Sequence, residues 1–411
     1  AKGLGLMRPV NVEVKLEGFA PDIALKKVEL RAGTLNSAEL RLTGSVAKLI
    51  AQRGIDLKFS LRGKELAKLK EIIAQPYIFV PAPGQGAYAF SGKVSDPTTN
   101  HFKVTDFQFV LADTELSGGL DFNLAVQPPQ YEVDLSASKF NLKPFPIPKE
   151  AAYATLNKLD DLGPVKIHSK VIVEGDILSL SQLEIQAGHE QLASVEVKGS
   201  IKNLTSQSGI DLNFNIRGNE VANLKKITGQ SIPLKGAYGL SGKLTDPAQK
   251  KYKLGDLKLK LGKNDITGSL DLNLSGKQIR LATDLAAPKF TLQPVTLPAL
   301  ETLAGIEDLG PLKLAFNLAG GGKKYTLANL DFKLGREDLI EVVLKGMIKD
   351  LSAVRGMQLE FNARGNDMSN FKKLGGPDIK HKGAYNVSVQ FFDPAPKIYK
   401  IPSFKATVGD N

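Results

Sequence analysis

Alternation of apolar and polar positions dominates this chain. In "GIDLNFNI", Ile210, Leu212, Phe214 and Ile216 are separated by Asp211, Asn213 and Asn215. In "ITGSLDLNL", Ile266, Leu270, Leu272 and Leu274 are separated by Thr267, Ser269, Asp271 and Asn273. "GIDLKFSL" repeats the pattern through Ile55, Leu57 and Phe59, and "YEVDLSA" through Tyr131, Val133 and Leu135. A period of two sends successive side chains to opposite faces, so each segment predicts a β-strand with one apolar and one polar face. Short Gly, Asn and Asp turns separate the segments, as an antiparallel meander requires.

The strands belong to a repeat. "KGAYGLSGKLTDP" at 235–247 is spelled almost identically at 85–97, "QGAYAFSGKVSDP", and more loosely at 382–394, "KGAYNVSVQFFDP". "RGIDLKFSLRGKELAKLK" (53–70) returns as "SGIDLNFNIRGNEVANLK" (208–225) and "RGMQLEFNARGNDMSNFK" (355–372). The period is about 150 residues, and a weaker half-period of about 75 is marked by Gly44, Gly118, Gly199, Gly268 and Gly346. This spacing predicts four-strand modules in two alternating flavours. They group into repeat units at 1–162, 163–309 and a truncated 310–411 within one continuous elongated domain.

Each module is expected to close with one short helix. "NEVANLKKI" (219–227) places Val221, Leu224 and Ile227 on one face with Asn219 as N-cap; "NDMSNFKKL" (366–374), "KELAKLKEI" (64–72) and "LPALETLAGIEDLG" (297–310) carry similar stripes. In the opening motif, Gly236 and Gly242 are expected to bracket a strand, with Asp246–Pro247 starting the turn that ends it. "FPIPKE", "VPAPG" and "LQPVTLP" are expected to be crossing loops.

Magnitudes then pose a question of cover. About twenty strands at ~4.8 Å spacing make a ladder on the order of 95 Å long. With roughly three apolar side chains per strand on one face, and ~1.5–3 kcal/mol for each one buried, that face is worth on the order of 100 kcal/mol. The helices are too short to cover it. Open sheets of more than ~10 strands tend to curl, so a long, twisted, curved antiparallel sheet bent into a trough is expected. A closed trough is a sandwich core. An open one is an aliphatic groove lined by Ile55, Leu57, Phe59, Val133, Leu135, Ile210, Leu212, Phe214, Ile216, Leu270, Leu272 and Leu274. With 7% aromatic residues and no tryptophan, such a lining suits acyl chains better than sugars or bases.

Composition narrows the chemistry. The chain has 411 residues, 42% hydrophobic and 24% charged, which places it among folded proteins. It has no cysteine, which removes disulfides, thiolate metal sites and cysteine nucleophiles. Its net charge of +11 fits anionic partners, but basic segments lack interleaved aromatics, so nucleic acid is not expected. His101, His168, His189 and His381 show no metal-ligand spacing, and no glycine-rich segment has phosphate-loop spacing. Asp160–Asp161 and Glu307–Asp308, each before a Gly-Pro break, are read as solvated helix ends rather than acid/base pairs. Arg62, Arg217 and Arg364 each precede a glycine at a strand end, where a local hydrogen bond competes with a head-group contact. The chain is not expected to be an enzyme, and no cofactor or metal is expected.

The pattern "LGKNDITGSLDLNLSG", with "LADTELSGGLDFNLA" at 112–126, resembles the repeats of the AsmA family, as does "LATDLAAPKFTLQP" beside "VDLSASKFNLKP". The resemblance spans essentially the whole chain and rests on patterning rather than a fixed signature. It implies a repeating β-groove of the bridge-like lipid-transfer kind in the periplasm of a Gram-negative envelope. The function it implies is phospholipid movement between inner and outer membranes. The partners it implies are phospholipid acyl chains and both membranes, and envelope proteins are possible further partners. Family members are held by an N-terminal transmembrane helix, and no stretch here reaches the ~18–20 apolar residues of a membrane span. Because "KATVGDN" at the end matches "KLKLGKN" at 258–264, where the earlier copy runs on, the chain is read as a fragment with its anchor outside. The competing expectation is a structural or assembly factor for outer-membrane proteins with a sealed β core, recruiting partners along its strand edges.

Overall fold

The computed structural model describes residues 7–66, 86–141, 163–296, 306–322, 324–374, 379–380, 382–395 and 398–409. These residues are mainly β: 22 antiparallel strands, with helix limited to short pieces. The chain folds into two compact units. The first contains β1 (Val10–Glu17), β2 (Ala24–Thr34), β3 (Ala38–Lys48), β4 (Arg53–Gly63), β5 (Tyr88–Thr98) and β6 (His101–Leu111). It continues with β7 (Thr114–Asn123), β8 (Gln130–Ala137), β9 (Val165–Glu174), β10 (Ile177–His189) and most of β11 (Ala193–Asn203). Strands β1 to β10 pair each with the next in a meander.

The second unit contains β12 (Ser208–Gly218), β13 (Tyr238–Ala248), β14 (Lys251–Leu261), β15 (Asn264–Asn273), β16 (Ile279–Phe290) and β17 (Gly310–Gly321). It ends with β18 (Lys324–Arg336), β19 (Ile340–Asp350), β20 (Arg355–Gly365), β21 (Tyr385–Ala395) and β22 (Ile398–Val408). Again each strand pairs with the next.

Within each unit the densest packing lies at one end of the strands. In the first, Ala38, Leu66, Tyr88, Phe109 and Leu111 form a buried cluster, flanked by Phe90, which stacks on Phe109 at 4.6 Å. In the second, Val221, Tyr238 and Leu261 do the same. Two recurring words of the sequence meet here. A Cβ on Gly63, Gly218 or Gly365 would stand 2.7, 2.5 or 2.8 Å from the ring of Tyr88, Tyr238 or Tyr385 on the next strand. The glycine of "RG" therefore makes room for the tyrosine of "GAY". Burial pushes the phenol pKa of all three tyrosines up, and the Tyr238 hydroxyl donates to the Leu192 carbonyl at 3.1 Å.

A polar pair completes this end. Thr114 is fully buried; its Oγ1 donates to the Asn141 carbonyl and accepts from the Asn141 N–H at 2.9 Å. In the second unit the partners are exchanged. Asn264 takes the threonine's place, donating to the Thr291 carbonyl at 2.9 Å and accepting from its N–H at 2.7 Å.

The aspartates of "DP" do not begin the turn. Asp246 lies inside β13, and its carboxylate accepts from the backbone N–H groups of Gly209 and Ile210 on β12. Asp96 holds Gly54 and Ile55 in the same way, and Asp393 holds Gly356 and Met357. Arg53 and Arg355 add a 3.1 Å ion pair to the first and third clips. Proline after each aspartate lacks the N–H that a regular ladder would use, and a register shift follows at all three places. Likewise Gly242 sits within β13 rather than at its border.

The helical expectations are met only locally. Residues 219–227 give a 3-10 turn, Val221–Leu224, followed by Lys225–Thr228. Glu220, not Asn219, supplies the side-chain acceptor, taking N–H groups from Ala222 and Gly236. Met368–Leu374 is a 3-10 helix whose start is held by Asp367 accepting from Ser369 N–H. Most of the segments 64–72 and 297–310, with "FPIPKE" and "VPAPG", lies outside the described residues. Of the third crossing loop, residues 292–296 run beside 232–235, with Leu234 bridging Val295.

Candidate functional site: an aliphatic face

The strand register assembles the alternating apolar positions into rows. In the first unit one row runs Leu57, Val94, Val104, Leu120 and Val133 across five successive strands. Leu135 faces Gly118 and Ile167 in the row beside it, and Phe59 lies over Gly92, where a Cβ would meet its ring at 3.1 Å. The second unit repeats the main row as Leu212, Leu244, Leu254 and Leu270. A parallel row, Tyr252, Leu272, Leu281, Leu318, Leu327 and Ile348, lies next to it. Ile216 begins a third row with Leu240, Leu259 and Ile266.

Two backbone devices keep the rows aligned. At Asp106 and Asp256 the chain takes a left-handed φ near +50° inside a bulge. The bulge returns Phe107 and Leu257 to the face of Val104 and Leu254, which strict alternation would have reversed. Opposite the second bulge, Gly268 has φ +155° and would place a Cβ 1.9 Å from the Asp284 carbonyl oxygen, so only glycine fits.

The predicted lining residues fall on this face with a common exposure. Ile55, Leu57, Phe59, Val133, Leu135, Ile210, Leu212, Phe214, Ile216, Leu270 and Leu272 are all half-buried; Leu274, just beyond β15, is exposed. They shelter one another along the rows without reaching the burial of the end clusters. Residues that alternation alone did not single out, Val94, Val104 and Leu244 among them, complete the rows. Their signal was present in "GKVSD", "FKVTD" and "GKLTD", but only register shows which neighbours they join.

Exposure rises toward the end of the strands opposite the buried clusters. Leu49, Ile50, Leu124, Ile177, Leu204, Leu274, Ile279, Leu351 and Val354 are all exposed there. Five of these leucines share one geometry. Leu49, Leu124, Leu204, Leu274 and Leu351 each donate their N–H to the turn of the preceding hairpin, at Ile23, Asn100, Leu178, Lys250 and Tyr325. The side chain is thus held at the lip by a fixed backbone.

The polar face carries ion pairs instead. Arg62 binds Glu39, Arg217 binds Glu190, and Arg364 binds Glu341 and Glu337, all within 3 Å. These arginines are strand-to-strand ties. The Glu39 carboxyl is held below its usual range by Arg41 first and then Arg62. For Glu341, burial pushes the carboxyl up, but Lys333 and Arg364 outweigh it and the net shift is downward. Glu307 meets Lys263 and Asp308 meets Arg336, so both carboxylates are engaged; Asp160–Asp161 lies outside the described residues. His101 pairs with Asp121 at 2.6 Å, and no cluster of metal-ligating side chains occurs among the described residues.

No protein-family model, curated protein or solved structure matches this chain.

Proposed function

We propose that the chain is an AsmA-like, bridge-like conduit for phospholipid between the inner and outer membranes of a Gram-negative envelope. The observation that carries the reading is the state of the apolar face: register-aligned apolar rows within each unit, half-buried at most positions, with Val104 and Leu257 buried. An acyl chain laid along such rows removes both partners from water at ~25 cal/mol per Å² of apolar area. The head group stays in solvent beside the polar edges. The mechanism is passive, and it asks of the protein only continuity and an aliphatic lining.

The finer architecture belongs to the same reading: a twisted β-groove of modules about 75 residues long. Left-handed residues at Asp106, Gln182, Asp256 and Asn329 support it, one in each successive stretch of that length. A periplasmic location with an anchoring helix outside this sequence also belongs to it; no helix among the described residues is long and apolar enough to cross a membrane.

Organic extraction of the gently purified protein, followed by mass spectrometry, tests the proposal. Phospholipid or fatty acid well above trace level is expected. Stable, lipid-free protein would instead favour a structural or assembly factor.

A further inference from the structure

We infer that the polar face of β8 to β10 in the first unit is a binding site for a short zwitterion, a compound that joins an ammonium group to a phosphate. The site lies on the face opposite the apolar rows and goes beyond the groove reading.

A depression of about 370 Å³ is lined by Asp134 and Ser136 of β8, Lys166, Ile167 and His168 of β9, and Glu184 and Gln186 of β10. That volume falls within the range of small-molecule sites. Register sets the six polar residues on one face, in two neighbouring rows. Asp134 pairs with His168 and His168 with Glu184; Ser136 pairs with Lys166 and Lys166 with Gln186. The first row therefore has a carboxylate on each side of the imidazole. The second centres on an ammonium group with the Gln186 amide beside it, while the Ser136 hydroxyl already donates to the Ser117 carbonyl at 3.4 Å. The rows lie two residues apart along the strands, about 7 Å. The depression is polarised, acidic along one row and donor-rich along the next. Its charges are not spent on one another. Among the described residues Asp134 and Lys166 have no ion-pair partner and His168 has no hydrogen-bond partner. Glu184 is 3.6 Å from Lys198 of β11.

The second unit builds the same two rows and neutralises them from within. Asp284, Ala315 and Asp331 take the places of the first row, and Ala286, Lys313 and Lys333 those of the second. There Lys313 reaches Asp331 at 2.8 Å, past the small side chain of Ala315. Asp331 first, and then Asp284, hold the Lys313 pKa up. Lys333 is bound by Glu341 at 2.8 Å. In the first unit His168 fills the place of Ala315, and Lys166 and Asp134 are left without these ties. A ligand ammonium at Asp134, with its phosphate at Lys166, Gln186 and His168, supplies the balance that the second unit reaches by itself, through charge-assisted hydrogen bonds.

Calorimetric binding to the 411-residue chain tests the inference, with phosphoethanolamine, ethanolamine and inorganic phosphate as probes. Phosphoethanolamine should bind at least about tenfold more tightly than either half alone. Lys166→Gln and Asp134→Asn, both at exposed positions where the fold is indifferent to the change, should each weaken it by about tenfold. Asp284→Asn, the matching change in the second unit, should leave it unaltered. Phosphatidylethanolamine vesicles that displace the bound probe assign the zwitterion to a lipid head group. Vesicles that leave it bound assign it to a soluble compound, and both results uphold the site. Either half binding as tightly as the whole overturns the inference, because the depression then reads a single charge. No uptake of phosphoethanolamine, or uptake that both first-unit variants leave unaltered, also overturns it and leaves the groove reading standing.

Discussion

The two ends of the strands are made from the same alternation and reach opposite outcomes. At one end Ala38, Leu66 and Leu111 are almost wholly buried, under tyrosines clamped against glycine. At the other, Leu49, Leu124 and Leu274 remain about two-fifths exposed, and the rows between them are half-buried at most positions. An apolar strand position is therefore not a core position by its identity alone. What differs is cover: side chains and crossing segments close one end, and tight turns leave the other open. The difference assigns stability to the closed end, and the proposed ligand contact falls to the open one.

Charges placed on the same face should break this comparison most visibly. Leu111→Asp puts a carboxylate where no water reaches, and should cost more than about 4 kcal/mol, enough to unfold much of the first unit. Leu120→Asp lies on the half-buried row. It should cost less than about half as much, while abolishing lipid association. Chemical denaturation with lipid extraction on both variants decides between the outcomes. Equal destabilisation would make the row a dry core.

A smaller effect is expected from the aspartate clips. Asp246→Ala leaves the Gly209 and Ile210 N–H groups without their acceptor, which should cost about 1–3 kcal/mol. Hydrogen exchange should show those two amides losing protection while the Tyr238 cluster keeps its own. The same clip gives a pH dependence at Asp393. Burial pushes this carboxyl up, but the N–H groups of Gly356 and Met357 and the Arg355 guanidinium outweigh it, holding the net value below the ordinary 3.8. A depressed folded-state pKa contributes stability that is present above the ordinary value and lost as pH falls through the folded one. Stability contributed by this group should therefore be lost only as pH falls below about 4, and Asp393→Asn should blunt that acid-side loss.

The exchanged polar pair offers the finest test of the closed end. Thr114→Asn alone or Asn141→Thr alone should cost about 1–2 kcal/mol, since each leaves a buried group poorly paired. The double variant reproduces the Asn264–Thr291 arrangement and should recover most of the loss. Additive losses in a double-mutant cycle would show that the two sites are not equivalent.

Much of this architecture was legible in the sequence. Period-two alternation located β4, β12, β15 and β8, and it identified which side chains of those strands share a face. Register was not legible, because a single strand carries no record of its neighbour's offset, and the bulges at Asp106 and Asp256 move the apolar set by one residue. "DP" read as turn chemistry because its dipeptide preference is local, whereas the acceptors' real partners lie on the preceding strand. "RG" and "GAY" were both visible as repeats, but nothing in one dimension joins Gly218 to the ring of Tyr238. The apolar row positions were legible by residue type; their half-buried state, which depends on what covers them, was not.

The central claim is that the aliphatic rows contact lipid chains along their length. A photoreactive residue placed in turn at Leu57, Val104, Leu120 and Val133, in the presence of radiolabelled phospholipid, measures this directly. Outward positions Lys58, Lys103 and Asp121 serve as the reference face. The account predicts crosslinked lipid at all four row positions and little at the three outward ones. Equal labelling of both faces, or labelling of neither, would contradict it.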